Sequence, residues 1–220
     1  MNVEAGEQQA QVLGAQAEFV KLDVTDEQAA EQFFKDVVAK HGAVYGLINC
    51  AGIGPSAKVV GKYGVHDLAM FSKILHINVT GTFNMLRFAA DAMSKNIVAE
   101  GDEDRGVIVN TASVAAFDGQ IGQAAYSASK GAVVAMTLPI ARELARHQIR
   151  VLTIAPGIME TPMLKGLPQN VQDALGQMVP YPSRLGRPEE FGRLVAHIAE
   201  NSYLNGEVIR LDGGIRMAAK

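Results

Sequence analysis

The stretch Val107-Ile-Val-Asn-Thr-Ala-Ser113, followed after a short loop by Tyr126-Ser-Ala-Ser-Lys130, decides how the rest of the chain is arranged. Residues 107–109 are all apolar and predict a short, fully buried strand of a parallel sheet. Residues 110–113 form the polar end of that strand, so Ser113 is expected at the carboxyl edge of the sheet. Open α/β sheets bind their ligands at that edge.

Tyr126 and Lys130 are expected on one face of a long helix over residues 124–146, because they are four positions apart. A free tyrosine has a pKa of about 10 and is a weak base near neutral pH, but a nearby cation favours the phenolate. We therefore expect Lys130 to lower the pKa of Tyr126, which would let the phenol exchange a proton with a substrate oxygen. Ser113 would donate a hydrogen bond to the same oxygen. This arrangement is suited to oxidising an alcohol or reducing a ketone.

The composition is that of one globular domain with a substantial core: 220 residues, 48% hydrophobic and 20% charged. A net charge of -3 offers no basic field, so we predict no nucleic-acid partner. No apolar run approaches the ~20 residues of a membrane span, and the amino terminus shows no signal-peptide pattern. Cys50 is the only cysteine, which favours a reducing compartment. We therefore predict a cytoplasmic protein without a membrane or metal site, and expect Cys50 to be small and buried.

Helices and strands are predicted to alternate, as a parallel sheet requires. A first helix leads to Gly14, and Thr25-Asp-Glu-Gln28 is expected to be the capping box of a second helix that Gly42 ends. Asn78 falls inside a long predicted helix, where its amide would compete with the backbone. The expected strands are residues 19–22, 46–49, 107–109, 150–155 and 207–211.

Several motifs resemble those of the short-chain dehydrogenase/reductase family in order and approximate spacing: Asn49-Cys-Ala-Gly52, Asn78-Val-Thr-Gly81, Ser113, Tyr126-x-x-x-Lys130 and Pro156-Gly157. Longer blocks are similar to its branch of type II 3-hydroxyacyl-CoA dehydrogenases: Gly122-Gln-Ala-Ala-Tyr-Ser-Ala-Ser-Lys-Gly131 and Leu204-Asn-Gly-Glu-Val-Ile-Arg-Leu-Asp-Gly213. A lone Tyr-x-x-x-Lys is a weak signal, but these blocks together are specific and cover nearly the whole chain.

The resemblance implies an α/β fold with a doubly wound, Rossmann-like parallel sheet, and hydride transfer between NAD and a 3-hydroxyacyl-CoA. In the family's pattern Tyr126 is the general acid/base, Lys130 lowers its pKa and binds the nicotinamide ribose, and Ser113 orients the substrate oxygen. The backbone of Asn78 would hold a proton-relay water. Further NAD contacts are implied for Asp23, Val24, Asn49, Ala51, Gly52, Pro156, Gly157, Ile158 and Thr161. For Asp23, a strand-ending aspartate is the alternative.

One feature of the family is missing from this sequence, namely the strand, glycine-rich turn and helix that hold the cofactor pyrophosphate. Gly6 and Gly14 have neither the spacing nor the preceding strand of that turn. Residues 1–220 are therefore expected to form one N-terminally truncated domain, without a first strand-helix-strand unit of about thirty residues. The family's strand order places the missing strands between residues 19–22 and 46–49. A late start site or damaged gene, or an authentic short form with impaired cofactor binding, would explain this.

The substrate and the assembly are less closely specified. Lys58 and Lys62 would either meet coenzyme A phosphates or form a solvated surface pair. Residues 159–181 would be either a lid over an apolar substrate or a plain surface loop. The small residues after Tyr126, including Gly131, predict a homotetramer packed through this helix. Alternative functions are a 3-oxoacyl thioester reductase, a hydroxysteroid dehydrogenase, or a non-catalytic relic that assembles with full-length relatives.

Overall fold

The computed structural model describes residues 2–62, 64–98, 100–161, 164, 166 and 168–219. Its α-helices are α1 (Val3–Leu13), α2 (Glu27–His41), α3 (Leu68–Leu75), α4 (Thr82–Ser94), α5 (Ala124–Leu144), α6 (Gln169–Gln177) and α7 (Pro188–Glu200). Its strands are β1 (Gly46–Asn49), β2 (Val60–Gly61), β3 (Gly64–Val65), β4 (Gly106–Thr111), β5 (Ile149–Pro156) and β6 (Val208–Leu211).

The main sheet has the order β1-β4-β5-β6, and every neighbouring pair is parallel. The two central strands, β4 and β5, are almost entirely buried. Ile108 and Val151 pack on one face of the sheet in a cluster that includes residues of α2, α4 and α5. Val109 and Leu152 pack on the opposite face with residues of α7. Helices therefore cover both faces, which confirms the predicted doubly wound α/β sheet.

Residues 19–22 do not form the predicted strand. A strand needs a neighbour to complete its hydrogen bonds, and within the described residues β1 pairs with β4 alone. The segment is instead held by side chains. An added Cβ at Gly6 of α1 would lie 2.2 Å from the Phe19 ring, and Leu22 packs against the cluster that includes α2. Hydrophobic packing thus holds residues 19–22 in place without hydrogen bonds to a neighbouring strand.

The start of α2 also differs from the predicted capping box. The carboxylate of Asp23 accepts hydrogen bonds from both the backbone N–H and the hydroxyl of Thr25, at 2.9 and 2.8 Å. The Thr25 hydroxyl therefore bonds Asp23 and does not cap the helix. Asp26 caps it instead, by accepting from the N–H of Ala29 at 3.0 Å. Gly42, with φ 85°, ends the helix as expected.

Two further segments are more structured than the sequence suggested. The loop that carries Lys58 and Lys62 contains the antiparallel hairpin β2–β3. In the acidic stretch 100–105, Asp104 pairs with the buried Arg150 at 2.5 Å. In the stretch 159–181, Pro162, Met163, Lys165 and Leu167 lie outside the described residues. None of the described helices is long and apolar enough to cross a bilayer.

Candidate active site

The carboxyl edge of the sheet collects the residues that the sequence singled out. Because β1, β4 and β5 are parallel, the segments that follow them leave the sheet at the same edge. The amide of Asn49, at the end of β1, donates to the side-chain oxygen of Asn110 on β4 at 2.9 Å. This bond ties the two strand ends together and fixes the loop with Ala51 and Gly52 beside the loop with Ser113.

Ser113 and Tyr126 approach each other across the loop that joins β4 to α5. The Ser113 hydroxyl oxygen accepts from the N–H of Ala115 at 3.1 Å, which starts a short 3-10 turn and orients the side chain. A hydrogen bond with Ser113 lowers the pKa of Tyr126, but burial has the larger effect, and the net pKa is raised.

The pKa of Tyr126 is thus raised, whereas the sequence predicts that Lys130 lowers it. The Lys130 amine lies 5.8 Å from the centre of the Tyr126 ring. It donates instead to the carbonyl of Thr111 at 2.7 Å. The two side chains share one face of α5, as predicted, but the Tyr126 pKa is raised by burial and is lowered only by the hydrogen bond with Ser113.

Lys130 is a buried amine with an exposed fraction of only 6%. Burial lowers its pKa to about 8, and the nearby Cys50 thiol opposes this shift. Cys50 itself is exposed, contrary to expectation, and its sulfur accepts a weak hydrogen bond from the hydroxyl of Thr111 at 3.6 Å. A thiol and an amine therefore lie close together where the first loop meets the catalytic helix.

The buried amine should appear in the pH dependence of stability. The pKa of Lys130 falls from 10.5 in the unfolded chain to about 8 in the folded one. Between these values the unfolded chain binds more protons at this site, so wild-type stability rises with pH across this window. Lys130→Met has no amine to titrate at this position. The free energy of unfolding of the wild type should therefore rise, relative to that of Lys130→Met, by on the order of 3 kcal/mol as the pH rises through the window. Urea unfolding at several pH values measures it, and a difference that stays constant would contradict it.

Asn78 lies in a π-helical turn, His76–Gly81, between α3 and α4, instead of in a continuous helix. Such turns are frequent at functional sites. Its buried side chain accepts from the N–H of Ile53 at 2.8 Å and donates to the carbonyl of Ile53 at 2.8 Å. Its backbone carbonyl, the group expected to hold a relay water, accepts from the Thr82 hydroxyl at 2.8 Å. Asn78 thus clamps the loop after β1 against the π turn.

Ser129 is a residue of this site that sequence reasoning missed. Its hydroxyl accepts from the amide of Asn78 at 2.9 Å and donates to the backbone carbonyl of Tyr126 at 2.7 Å. It therefore links the π turn to the catalytic helix. The only sequence signal for it is its position immediately before Lys130.

The other residues expected to contact the cofactor have the following contacts. Val24 packs against Gly81 of the π turn, where an added Cβ would come within 2.6 Å of its side chain. The Val24 carbonyl accepts from the amide of Asn84 at 2.9 Å, which holds Asp23 and Val24 to α4. Pro156 ends β5, Gly157 and Ile158 follow it, and the N–H of Thr161 donates to the carbonyl of Met159 at 2.8 Å.

The residues present fit the nicotinamide and ribose end of a dinucleotide. An ammonium has three donors, and Thr111 accepts the one hydrogen bond found for Lys130 among the described residues, so donors remain for ribose hydroxyls. Gly52 keeps the approach open, because an added Cβ there would lie 3.2 Å from the Asn78 oxygen and 3.5 Å from the Lys130 amine. The 220 residues contain no Gly-x-x-x-Gly-x-Gly turn for a pyrophosphate. The fit therefore concerns one end of the cofactor.

The chain is similar in sequence to known dehydrogenases and reductases. Residues 2–216 match the family model described as enoyl-(acyl carrier protein) reductase. The chain is 52% identical over 214 residues to 3-hydroxyacyl-CoA dehydrogenase type-2 of Bos taurus, covering 96% of this chain and 82% of that protein. It is 34% identical over 216 residues to a 3-oxoacyl-[acyl-carrier-protein] reductase of Thermotoga maritima, covering 97% of this chain and 83% of that protein.

A solved structure is also closely similar. The crystal structure of 3-hydroxyacyl-CoA dehydrogenase type-2 from Mycobacterium avium superposes with a TM-score of 0.92 at 36% sequence identity. The match covers 99% of this chain and 84% of the other. The architecture described above is therefore that of a Rossmann-like dehydrogenase domain.

Proposed function

The chain belongs to the short-chain dehydrogenase/reductase family, and from this premise we propose that it transfers hydride between NAD and a 3-hydroxyacyl-CoA, giving a 3-oxoacyl-CoA in the oxidative direction. That it is an oxidoreductase follows from the family and from the close relatives named as dehydrogenases. The choice of NAD and of an acyl-CoA extends what those relatives are called to this chain. The alternative substrates are a 3-oxoacyl thioester on a carrier protein and a hydroxysteroid.

The observation that carries the proposal is the convergence of a phenol, a hydroxyl and a buried amine at one sheet edge. Ser113 hydrogen-bonds Tyr126, and Lys130 is anchored beside them by the Thr111 carbonyl. A secondary alcohol placed there would have its oxygen within reach of both hydroxyl groups.

The roles follow from these positions. The nicotinamide cofactor, when bound, supplies the hydride acceptor for oxidation and the hydride donor for reduction. In the reductive direction the 3-oxo carbon gains a hydride and its oxygen gains the proton of the Tyr126 phenol. Ser113 donates a hydrogen bond to that oxygen and holds it in place. Lys130 would bind the ribose hydroxyls through its remaining donors, and Asn78 and Ser129 hold the loop and helix in register.

The substrate assignment is tested by initial rates with NADH on acetoacetyl-CoA, on an acetoacetyl thioester of acyl carrier protein and on a ketosteroid. We expect acetoacetyl-CoA to give the highest kcat/KM. A preference for the carrier-protein thioester or for the steroid would replace the acyl-CoA proposal with that alternative. NADPH run in parallel tests the choice of NAD. For Lys58 and Lys62, beside the hairpin β2–β3, the alternatives remain a contact with coenzyme A phosphates and a solvated surface pair.

Cofactor binding separates the enzyme from a non-catalytic relic. Titration of the purified chain with NADH, followed by nicotinamide fluorescence, should show saturation if the site works in these 220 residues. An absence of saturable binding would favour a subunit that contributes packing surface without turnover. This measurement is independent of which acyl substrate is correct.

A homotetramer in the cytoplasm completes the proposal. An added Cβ at Gly131 would meet nothing outside its own helix within 4 Å, so no other part of the described chain requires a glycine there. Leu138, two turns further along α5, is 45% exposed. Association through this face would cover both residues, and light scattering should then give about four times the chain mass. The single exposed thiol of Cys50 suits a reducing compartment.

A further inference from the structure

Arg210, on β6, lies in an ion network that the reaction as described does not use. Its Nε donates to the carboxylate of Asp212 at 2.7 Å, and one terminal nitrogen donates to the carboxylate of Asp118 at 2.6 Å. The guanidinium also packs 5.1 Å from the centre of the Phe117 ring. The side chains are largely covered, with exposed fractions of 21% for Arg210, 20% for Asp118 and 7% for Asp212.

Asp118 connects this network to the catalytic residues. It belongs to the loop over residues 117–123 that joins the 3-10 turn begun by Ser113 to the helix that carries Tyr126. Its own N–H donates to the carbonyl of Val114 at 2.9 Å. On the opposite side the loop is fixed by Gly122, whose carbonyl accepts from Ala57 at 2.9 Å and Ser56 at 3.1 Å. The position of this loop therefore sets the spacing of the Ser113 and Tyr126 hydroxyls.

Asp212 connects the same guanidinium to the segment that follows β5. The N–H of Gly157 donates to the carbonyl of Leu211 at 2.9 Å. An added Cβ at Gly157 would lie 2.9 Å from the Asp212 Cα atom, so the two backbones are in close contact. Gly157 is one of the residues expected to line the nicotinamide end of the site. Arg210 thus contacts one carboxylate in the loop between Ser113 and Tyr126, that of Asp118, and one beside the segment that follows β5, that of Asp212.

The C-terminal segment adds a second link to the same loop. The carbonyl of Ala219 accepts from the N–H of Ile121 at 3.0 Å, and that of Ala218 accepts from the Gln120 side chain at 3.1 Å. The carbonyl of Ile215, a residue only 1% exposed, accepts from Arg210 at 3.0 Å. The loop is therefore held both by the ion pair of Asp118 with Arg210 and by hydrogen bonds to the C-terminal segment.

We propose that Arg210 is a positioning residue which, through Asp118 and Asp212, fixes the loop joining Ser113 to Tyr126 relative to the loop that follows β5. This inference rests on the proposed oxidoreductase function. The planar guanidinium suits the task because its fixed fork can serve two carboxylates at once, whereas a lysine ammonium is a flexible point charge. A displacement of about 1 Å between reacting groups can lower the rate by 10²-fold, so the network has a direct route to catalysis.

The test compares Arg210→Met, Arg210→Lys, Asp118→Asn and Asp212→Asn, with Arg193→Met as control because the Arg193 side chain is 77% exposed. We expect Arg210→Met to lower kcat by about 10- to 100-fold, with KM changed less than twofold. Arg210→Lys should recover part of that loss. Asp118→Asn should lower kcat in the same way, and Arg193→Met should leave it unchanged.

Hydrogen exchange gives a readout that does not require turnover. Asp118→Asn should accelerate amide exchange in residues 114–123 and leave residues 154–158 as in wild type, and Asp212→Asn should do the reverse. Arg210→Met should accelerate both. If the wild-type chain turns over none of the three substrates, exchange still tests the network, so the two proposals fail separately. A folded Asp118→Asn variant with wild-type kcat and wild-type exchange in 114–123 would overturn the inference.

Discussion

Replacing Tyr126 by Phe should lower kcat by about 10²- to 10⁴-fold, the range contributed by general acid/base catalysis. The substitution removes only the phenolic oxygen, which is the group that would exchange a proton with the substrate. Ser113 would lose its partner but remain oriented by the N–H of Ala115. The KM for acetoacetyl-CoA and the affinity for NADH should therefore change little. Steady-state kinetics together with a fluorescence titration of NADH measure both effects.

The control for this variant is Tyr203→Phe. The Tyr203 side chain is 98% exposed, so loss of its hydroxyl should leave kcat and KM at wild-type values. If Tyr126→Phe kept more than a tenth of the wild-type kcat, the proton would have to come from another group. The assignment of Tyr126 as general acid/base would then be wrong.

Arg150→Met should destabilise the chain by about 3–5 kcal/mol, as expected when one partner of a buried ion pair is removed. The Arg150 guanidinium is buried and donates to the carbonyls of Ile198, Leu204 and Ala199 at 2.8, 3.0 and 3.1 Å. Two of these carbonyls belong to the last turn of α7, where no intrahelical donor is available. Methionine keeps most of the volume but leaves all three acceptors without a partner. The unfolding midpoint should fall by roughly 10 °C.

Two comparisons make this result specific. Arg142→Met, at an exposed position near the end of α5, should change stability by no more than about 0.5 kcal/mol. Asp104→Asn removes the charge partner but leaves the three carbonyl bonds, so its cost should be smaller, about 1–3 kcal/mol. Calorimetry or urea unfolding of the three variants measures the order. An Arg150→Met variant as stable as Arg142→Met would show that the carbonyl contacts contribute nothing.

Much of the architecture could be predicted because it follows from local patterns. The largely apolar strands β4 and β5 are buried on both faces, as in a parallel sheet that lies between two layers of helices. Gly14 and Gly42 were correctly expected to end helices, because both adopt a positive φ that other residues avoid. The four-residue spacing of Tyr126 and Lys130 was enough to place both on one face of α5.

The parts that sequence could not supply depend on neighbours distant along the chain. Residues 19–22 have the composition of a strand, but a strand forms only where another strand pairs with it. The π turn at Asn78 is favoured by bonds to Ile53 and Ser129, which are 25 and 51 positions away. Asp104 pairs with Arg150, which lies 46 positions later in the chain.

By itself the sequence determined the layered parallel sheet and the family, and it singled out the side chains that we propose for the proton chemistry, because these depend on periodicity, spacing and residue type. Only the tertiary structure decided the surroundings that shift the pKa values of these side chains. The pKa of Tyr126 is set first by burial, and the Lys130 amine bonds a backbone carbonyl. The contacts of the Arg210 guanidinium, which links the two loops of the site, likewise arise only in the tertiary structure. Desolvation and contacts between distant segments exist only once the chain has folded, so no linear pattern records them.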